Sequence, residues 1–142
     1  MAVININGHW AFVLVYGPEY EEDAGKEIYF DAEFIQDNDT FSGTGIDTGG
    51  HGINPDPAII NGFLDGDEIS FVKQYASKHY TGENGEIIVE KNIPGPEINY
   101  FGTYNKRDNT FNGDWDIVIG TEQVGGSWFD YSCTGTWYMK RK

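Results

Sequence analysis

This 142-residue sequence predicts an all-β fold, an antiparallel up-and-down β-barrel of eight to nine strands. Three observations lead there. Aromatic residues make up 15% of the chain and glycines number 19, a combination that suits pleated segments joined by tight turns. Short segments alternate apolar and polar residues with period two, and none keeps a helical period over three turns. Turn-forming clusters separate these segments at close intervals, so consecutive strands are joined as hairpins.

The elements follow in order. The first strand spans about 9–16, "HWAFVLVY", and Gly17-Pro18 opens an acidic loop after it. The second spans about 27–36, the third about 40–47, and a longer loop with two prolines follows. The fourth, about 58–64, and the fifth, about 68–76, flank Asp65-Gly66, read as a type I′ hairpin signal. A polar loop containing Asn84-Gly85 leads to a sixth strand at about 86–92, which "IPGP" ends. The seventh, about 97–105, and the eighth, about 110–119, are joined by "KRDN". Gly125-Gly126 turns the chain into a last strand at about 127–140. A closed barrel leaves this meander no exposed edge. The competing arrangement, a β-sandwich, needs the longer connections of Greek-key crossings.

Alternation assigns the faces. Trp10, Phe12, Leu14 and Tyr16 share one side of the first strand, although Ala11, Val13 and Val15 make its other side apolar too. Ile69, Phe71, Lys73 and Tyr75 share a face, as do Ile98, Tyr100, Gly102 and Tyr104. In the eighth strand Phe111, Gly113, Trp115, Ile117 and Ile119 oppose a mostly polar side. In the last strand Phe129, Tyr131, Cys133, Gly135, Trp137 and Met139 oppose Trp128, Thr134 and Tyr138. A weak internal echo, "DNDTFSGTG" at 37–45 and "RDNTFNGDW" at 107–115, reads as one hairpin solution used twice.

All four tryptophans carry a glycine two residues earlier: Gly8, Gly113, Gly126 and Gly135. On a strand the pair shares a face, so the glycine leaves a gap for a ring from the neighbouring strand or permits sharp coiling. Gly8-His9-Trp10 at the start of the first strand resembles the Gly-x-Trp with which lipocalins and avidins open their calycin-type barrels. That resemblance implies a barrel foot closed by an arginine over the first tryptophan, with Arg141 in that place. The spacings Phe41-x-Gly43-x-Gly45-x-Asp47, Ile60-x-Gly62, Ile69-x-Phe71-x-Lys73-x-Tyr75, Tyr100-x-Gly102 and Phe111-x-Gly113-x-Trp115 are also similar to a lipocalin-like family that carries no assigned activity. The longer lipocalin motifs, the lipocalin carboxy-terminal helix and the biotin-site pattern of avidins have no counterpart, so the resemblance brings an architecture and no named ligand.

Charge narrows the partners. A net charge of −14 argues against nucleic acid and against anionic membrane surfaces, both of which select clustered Lys and Arg. No apolar run has the length of a membrane span. The numbered start has no basic segment followed by an apolar run, which points to a cytoplasmic setting if that start is the native one. A single cysteine, Cys133, excludes an internal disulfide and a cysteine-based zinc cluster. His9, His51 and His79 lack metal-site spacing, and the acidic segment at 108–119 has Thr third and Ile twelfth, where a calcium loop requires a bidentate Glu at the twelfth position. No metal or cofactor is therefore expected. Phosphate-loop, dinucleotide and nucleophile-elbow motifs are absent.

Lys73 is the charge that stands out, placed between Phe71 and Tyr75 on an inward face. It has two readings. One is an anchor for an acidic head group, or an amine that forms an imine with a carbonyl. The other is a lysine near a barrel end, reaching water or paired with Asp47 or another carboxylate. The leading expectation is a non-enzymatic protein that binds a small, partly apolar or anionic ligand in the lumen, with Trp10, Lys73, Tyr75, Tyr100, Trp115 and Trp137 lining it. The alternative is a barrel filled by its own side chains that acts through its surface, as a protein-interaction module or a homo-oligomer, on the face bearing Trp128 and Tyr138. A small barrel enzyme of isomerase or hydrolase type ranks last.

Overall fold

The computed structural model describes the backbone of residues 4–50, 56–76, 78–81, 83–84, 86–90, 95 and 97–142. The side chains of 19, 78–81, 87, 89–90, 118–124 and 128–132 lie outside that description. Ten strands are present among the described residues: β1 Gly8–Tyr16, β2 Glu27–Asp37, β3 Thr40–Gly50, β4 Ala58–Asp65, β5 Glu68–Tyr75, β6 Lys78–Thr81, β7 Ile87–Glu90, β8 Glu97–Asn105, β9 Thr110–Val124 and β10 Ser127–Arg141. A short 3-10 helix, Pro18–Asp23, is the one helical element among these residues. It opens with proline in its first turn, where the missing N–H costs nothing.

Eight strands close into an all-antiparallel barrel in the order β1-β10-β9-β8-β5-β4-β3-β2. The predicted sixth strand is real but lies outside the barrel wall. It is β7, and among the described residues it pairs with β6 alone, a segment read as loop from the sequence. The reason is that β5 pairs directly with β8, from Glu68 opposite Thr103 to Gln74 opposite Glu97, leaving no edge for another strand. The turn after β4 also differs from expectation. Asp65 pairs with Glu68, so Gly66 and Asp67 are the two central residues, and only Gly66 has positive φ, at 62°. That is the type II′ pattern, with glycine first, and not type I′.

The two ends of the barrel are built differently. The end we call the foot carries the tight connections at 38–39, 66–67 and 106–109, together with the start of β1 and the end of β10. The upper end carries the connection 17–26, the end of β3, the start of β4, the end of β5 and the start of β8, and the β9–β10 hairpin runs past it. The β9–β10 register slips there: Tyr131 pairs with Gly120 and Ser132 with Val118, so Ile119 is a bulged extra residue. The side chains of Ile119, Phe129 and Tyr131, which alternation in the sequence assigns to the inner face, lie outside the described residues.

Period-two alternation places the core as expected. Trp10, Phe12 and Leu14 are buried while Ala11, Val13 and Val15 are half-buried, which settles the inner side of β1. Phe12 sits at the centre of the interior. It stacks on Phe30 (centroids 4.3 Å apart, 13° between planes) and meets Phe34 and Phe71 edge-on. Phe71 in turn stacks on Tyr100 (4.4 Å, 10°) and meets Trp137 edge-on at 5.4 Å. An eight-stranded barrel is just wide enough for such rings to fill it.

The inward glycines receive these rings. A Cβ on Gly135 would collide with the indole of Trp115 and with the Val15 carbonyl, and one on Gly102 with the indole of Trp137. The indole N–H groups then reach the wall itself. Trp137 Nε1 donates to the carbonyls of Asp114 (3.0 Å) and Phe101 (3.2 Å), and Trp115 Nε1 to that of Val15 (3.2 Å). Both echo segments also do the same job, since Phe41 and Phe111 point inward and are buried, each followed by a glycine. At the foot, Ile6 is fully buried beneath the barrel and its carbonyl accepts from Trp10 Nε1 at 2.8 Å. The Arg141 guanidinium lies 4.5 Å from the Trp10 ring centroid and donates to the carbonyls of Asn7 (2.6 Å) and Asn5 (2.7 Å).

Candidate functional site

Directly above the packed rings lies a polar cluster drawn from four strands. Tyr16 comes from β1, Asp47 from β3, Lys73 and Tyr75 from β5, and Tyr100 from β8. Each arrives by simple alternation, two residues on from an inward neighbour. Lys73 is 1% exposed and is the buried charge among the described residues. Its Nζ donates to the Tyr75 hydroxyl at 3.1 Å, and that hydroxyl donates to Asp47 Oδ1 at 2.6 Å. The ammonium therefore meets its carboxylate through a tyrosine and not directly.

Aromatic faces surround the rest of the ammonium. Nζ is 3.8 Å from the Phe30 centroid, 4.9 Å from that of Tyr75 and 5.7 Å from that of Tyr100. Such contacts offset part of the cost of leaving water. They offer no further hydrogen-bond acceptor, and among the described residues the Tyr75 bond is the only one Nζ makes. The Tyr100 hydroxyl is buried and, among the described residues, has no hydrogen-bond partner. Two neighbouring groups thus hold unspent donors inside the barrel, an arrangement that buried polar groups seldom adopt.

Burial dominates the ionisation of the cluster. Desolvation lowers the Lys73 pKa to about 8, and the Asp47 charge opposes that shift. Burial, reinforced by Asp47, raises the Tyr75 and Tyr100 hydroxyls far above the ordinary tyrosine range, and Tyr16 is raised for the same reasons. Near neutral pH the cluster holds neutral tyrosines around one cationic lysine.

Coverage thins towards the upper end. Tyr100, Phe12 and Phe30 are at most 1% exposed, whereas Tyr75, Ile98 and Cys133 reach 6–9% and Tyr16 and Ile117 are half-buried. The 3-10 helix forms part of the rim. It places Tyr20 flat against Tyr16 (4.6 Å, 20°) and beside Trp115 (6.0 Å), and Gly17 N is tied to the Thr134 carbonyl at 2.9 Å.

The six residues singled out from the sequence are therefore distributed along the barrel. Lys73, Tyr75 and Tyr100 come together in the cluster. Trp137 borders it, 5.7 Å from Tyr100. Trp115 is at the rim under Tyr20, and Trp10 is at the foot beneath Arg141. Sequence reasoning missed Tyr16, Phe30 and Tyr20 as neighbours of the site, and weighed Asp47 only as a carboxylate for Lys73. Parity had put Tyr16 on the inner face and Asp47 in line with Gly43 and Gly45. No sequence signal joins them to Lys73, because they come from other strands.

The remaining singled-out groups lie elsewhere. His9 makes an exposed contact with Glu33 at 3.0 Å, while His51 and the side chain of His79 fall outside the described residues. Tyr138 points outward and is 42% exposed, and the Trp128 side chain falls outside the described residues. No helix among the described residues is long and apolar enough to cross a membrane. No protein-family model, no curated protein and no solved structure matches this chain. The site alone carries the functional argument.

Proposed function

We propose that the protein binds a small, partly apolar molecule in the upper half of the barrel, with an anionic or other oxygen-bearing head group held by Lys73 and Tyr100. The observation that carries this reading is the pair of unspent buried donors: the Lys73 ammonium with a single hydrogen bond, beside the partnerless Tyr100 hydroxyl. Leaving such groups unpaired costs about 1–3 kcal/mol each, and an oxygen acceptor from a ligand removes that cost. Apolar walls with a few convergent polar groups are also what small-ligand sites share. Leu14, Ile28, Ile98 and Phe30 supply such walls. Kinship with the calycin-type, lipocalin-like barrels belongs to this reading, supported by Gly8-x-Trp10 at the first strand and by the Arg141 contact over Trp10.

Native mass spectrometry of gently purified protein tests for a retained molecule, and titration calorimetry with decanoate tests the head-group preference. Decanoate affinity is expected to fall roughly ten- to hundredfold in Lys73→Met, the scale of one lost charged hydrogen bond. A crystal structure whose upper barrel has no space beyond a few waters, together with no decanoate binding, would sink the idea.

A second reading has its own observation. The lower barrel is filled by its own rings, and outside it Phe63 and Phe101, each about half exposed (52% and 51%), flank Ser70 in a groove of about 570 Å³ edged by Asp65, Glu68 and Asp114. In that reading the barrel acts through its surface, by self-association or by docking another protein there or on the face bearing Tyr138. Light scattering across concentration separates the two, since a monomer at all concentrations counts against self-association.

A further inference from the structure

We infer that Lys73 forms a reversible imine with an aldehyde carried by the bound molecule, so that the barrel captures carbonyl compounds covalently. The inference rests on the ligand-binding reading above and specifies its chemistry. Three features of the cluster support it.

The first is the setting of the amine. Nζ lies among the rings of Phe30, Tyr75 and Tyr100 at 3.8, 4.9 and 5.7 Å from their centroids. Flat aromatic walls suit a planar conjugated carbonyl better than a tetrahedral head group. The second is a proton path. The Tyr75 hydroxyl bridges Nζ at 3.1 Å and Asp47 Oδ1 at 2.6 Å, and Asp47 is half-buried, so a proton leaving the ammonium has a hydrogen-bonded route towards the rim. The third is an electrophilic partner. Among the described residues the Tyr100 hydroxyl has no hydrogen-bond partner, so it can donate to the carbonyl oxygen of a bound aldehyde.

The step balances without oxidant or reductant. The Nζ lone pair attacks the carbonyl carbon as the C=O π pair moves onto oxygen, which takes up a proton. The C–O bond of this carbinolamine then breaks as the nitrogen lone pair forms C=N. Both hydrogens of the neutral amine end on the departing oxygen as water. Burial also keeps a substantial part of Lys73 neutral at mildly alkaline pH, because its pKa is lowered to about 8. An exposed lysine near 10.5 holds about a hundredfold less free amine at pH 8.

The experiment incubates the full chain with trans-cinnamaldehyde at pH 8, reduces with cyanoborohydride, and maps the modified lysines by mass spectrometry. Lys26, Lys106, Lys140 and Lys142 serve as exposed internal references. Labelling at Lys73 is expected to be roughly tenfold or more faster than at these, access and weaker basicity offsetting part of the free-amine advantage. Its pH midpoint is expected near 8, and Tyr75→Phe is expected to slow it several-fold. The internal comparison needs no variant, so a Lys73→Arg protein that fails to fold does not weaken it. Labelling of Lys73 at or below the reference rate overturns the imine. If decanoate still binds in that case, the ligand site stands without covalent capture; if decanoate also fails, the ligand-binding reading falls with it.

Discussion

The foot and the upper end of this barrel solve the same closure problem in opposite ways. The foot is sealed by apolar packing and satisfied hydrogen bonds: Ile6 under the rings, Trp10 bonded to its carbonyl, and Arg141 across the opening. The upper end holds a charge and a hydroxyl whose hydrogen bonds are not spent, with the 3-10 helix at its rim. The contrast teaches that tight packing and unsatisfied polar groups are held in separate parts of one interior. The filled lower interior holds the fold, and the upper cluster costs some of that stability because its donors are buried without acceptors.

The contrast can be broken most strongly from the filled half. Phe71→Ala removes the ring that touches Phe12, Phe34, Phe41, Tyr100 and Trp137, and is expected to cost about 3–5 kcal/mol in urea unfolding. In the upper half the sign reverses. Lys73→Met is expected to be neutral or to stabilise at pH 7, because it removes a buried charge while Tyr75 keeps its bond to Asp47.

The same lysine gives a pH signature. Its folded pKa, about 8, lies below the unfolded value of 10.5, so between the two the unfolded chain holds more protons and stability rises with pH. The rise is expected to begin near pH 8, and across the whole interval it has an upper bound on the order of 3 kcal/mol. Above about pH 10 it is opposed, because Tyr75 and Tyr100 stay protonated in the fold while the unfolded tyrosines ionise. Denaturant titrations at pH 7, 8 and 9.5 should show the rise in the wild type and its absence in Lys73→Met.

Smaller effects sharpen the picture. Arg141→Ala is expected to cost about 1–2 kcal/mol through two carbonyl bonds and the contact over Trp10, and to leave decanoate affinity unchanged. Tyr100→Phe is expected to stabilise by about 1 kcal/mol, the low end of the cost of an unpaired buried hydroxyl, since the hydroxyl has no partner to lose. The loss should appear in ligand affinity instead, and a clear loss of stability in calorimetry would show that the hydroxyl is already committed.

Much of the fold was legible because period-two alternation is local. Ile69, Phe71, Lys73 and Tyr75 needed only each other to declare an inner face, and all four are buried. What escaped depends on partners far along the chain or on single-residue offsets. Whether the segment at 87–90 joins the wall depends on whether β5 and β8 already pair. The bulge at Ile119 and the type II′ turn at Gly66 each differ from expectation by one residue. Ile6 belongs to a segment too short to show any period. In the site, Lys73 and Tyr75 were readable as inward neighbours, but the link from Tyr75 to Asp47 crosses from β5 to β3. The absence of a partner for the Tyr100 hydroxyl is a property of the assembled interior and has no sequence signature.

The tryptophans with which the glycine pattern began have a further consequence. Trp10, Trp137 and Trp115 stand at the foot, the middle and the rim, each with its indole N–H bonded to a different backbone carbonyl. They form a graduated set of fluorophores along the barrel axis. Replacing Trp128 and two of these three with Phe in turn would let one emission spectrum follow the foot, another the centre and a third the rim during unfolding or loading. The chain thus carries its own depth gauge.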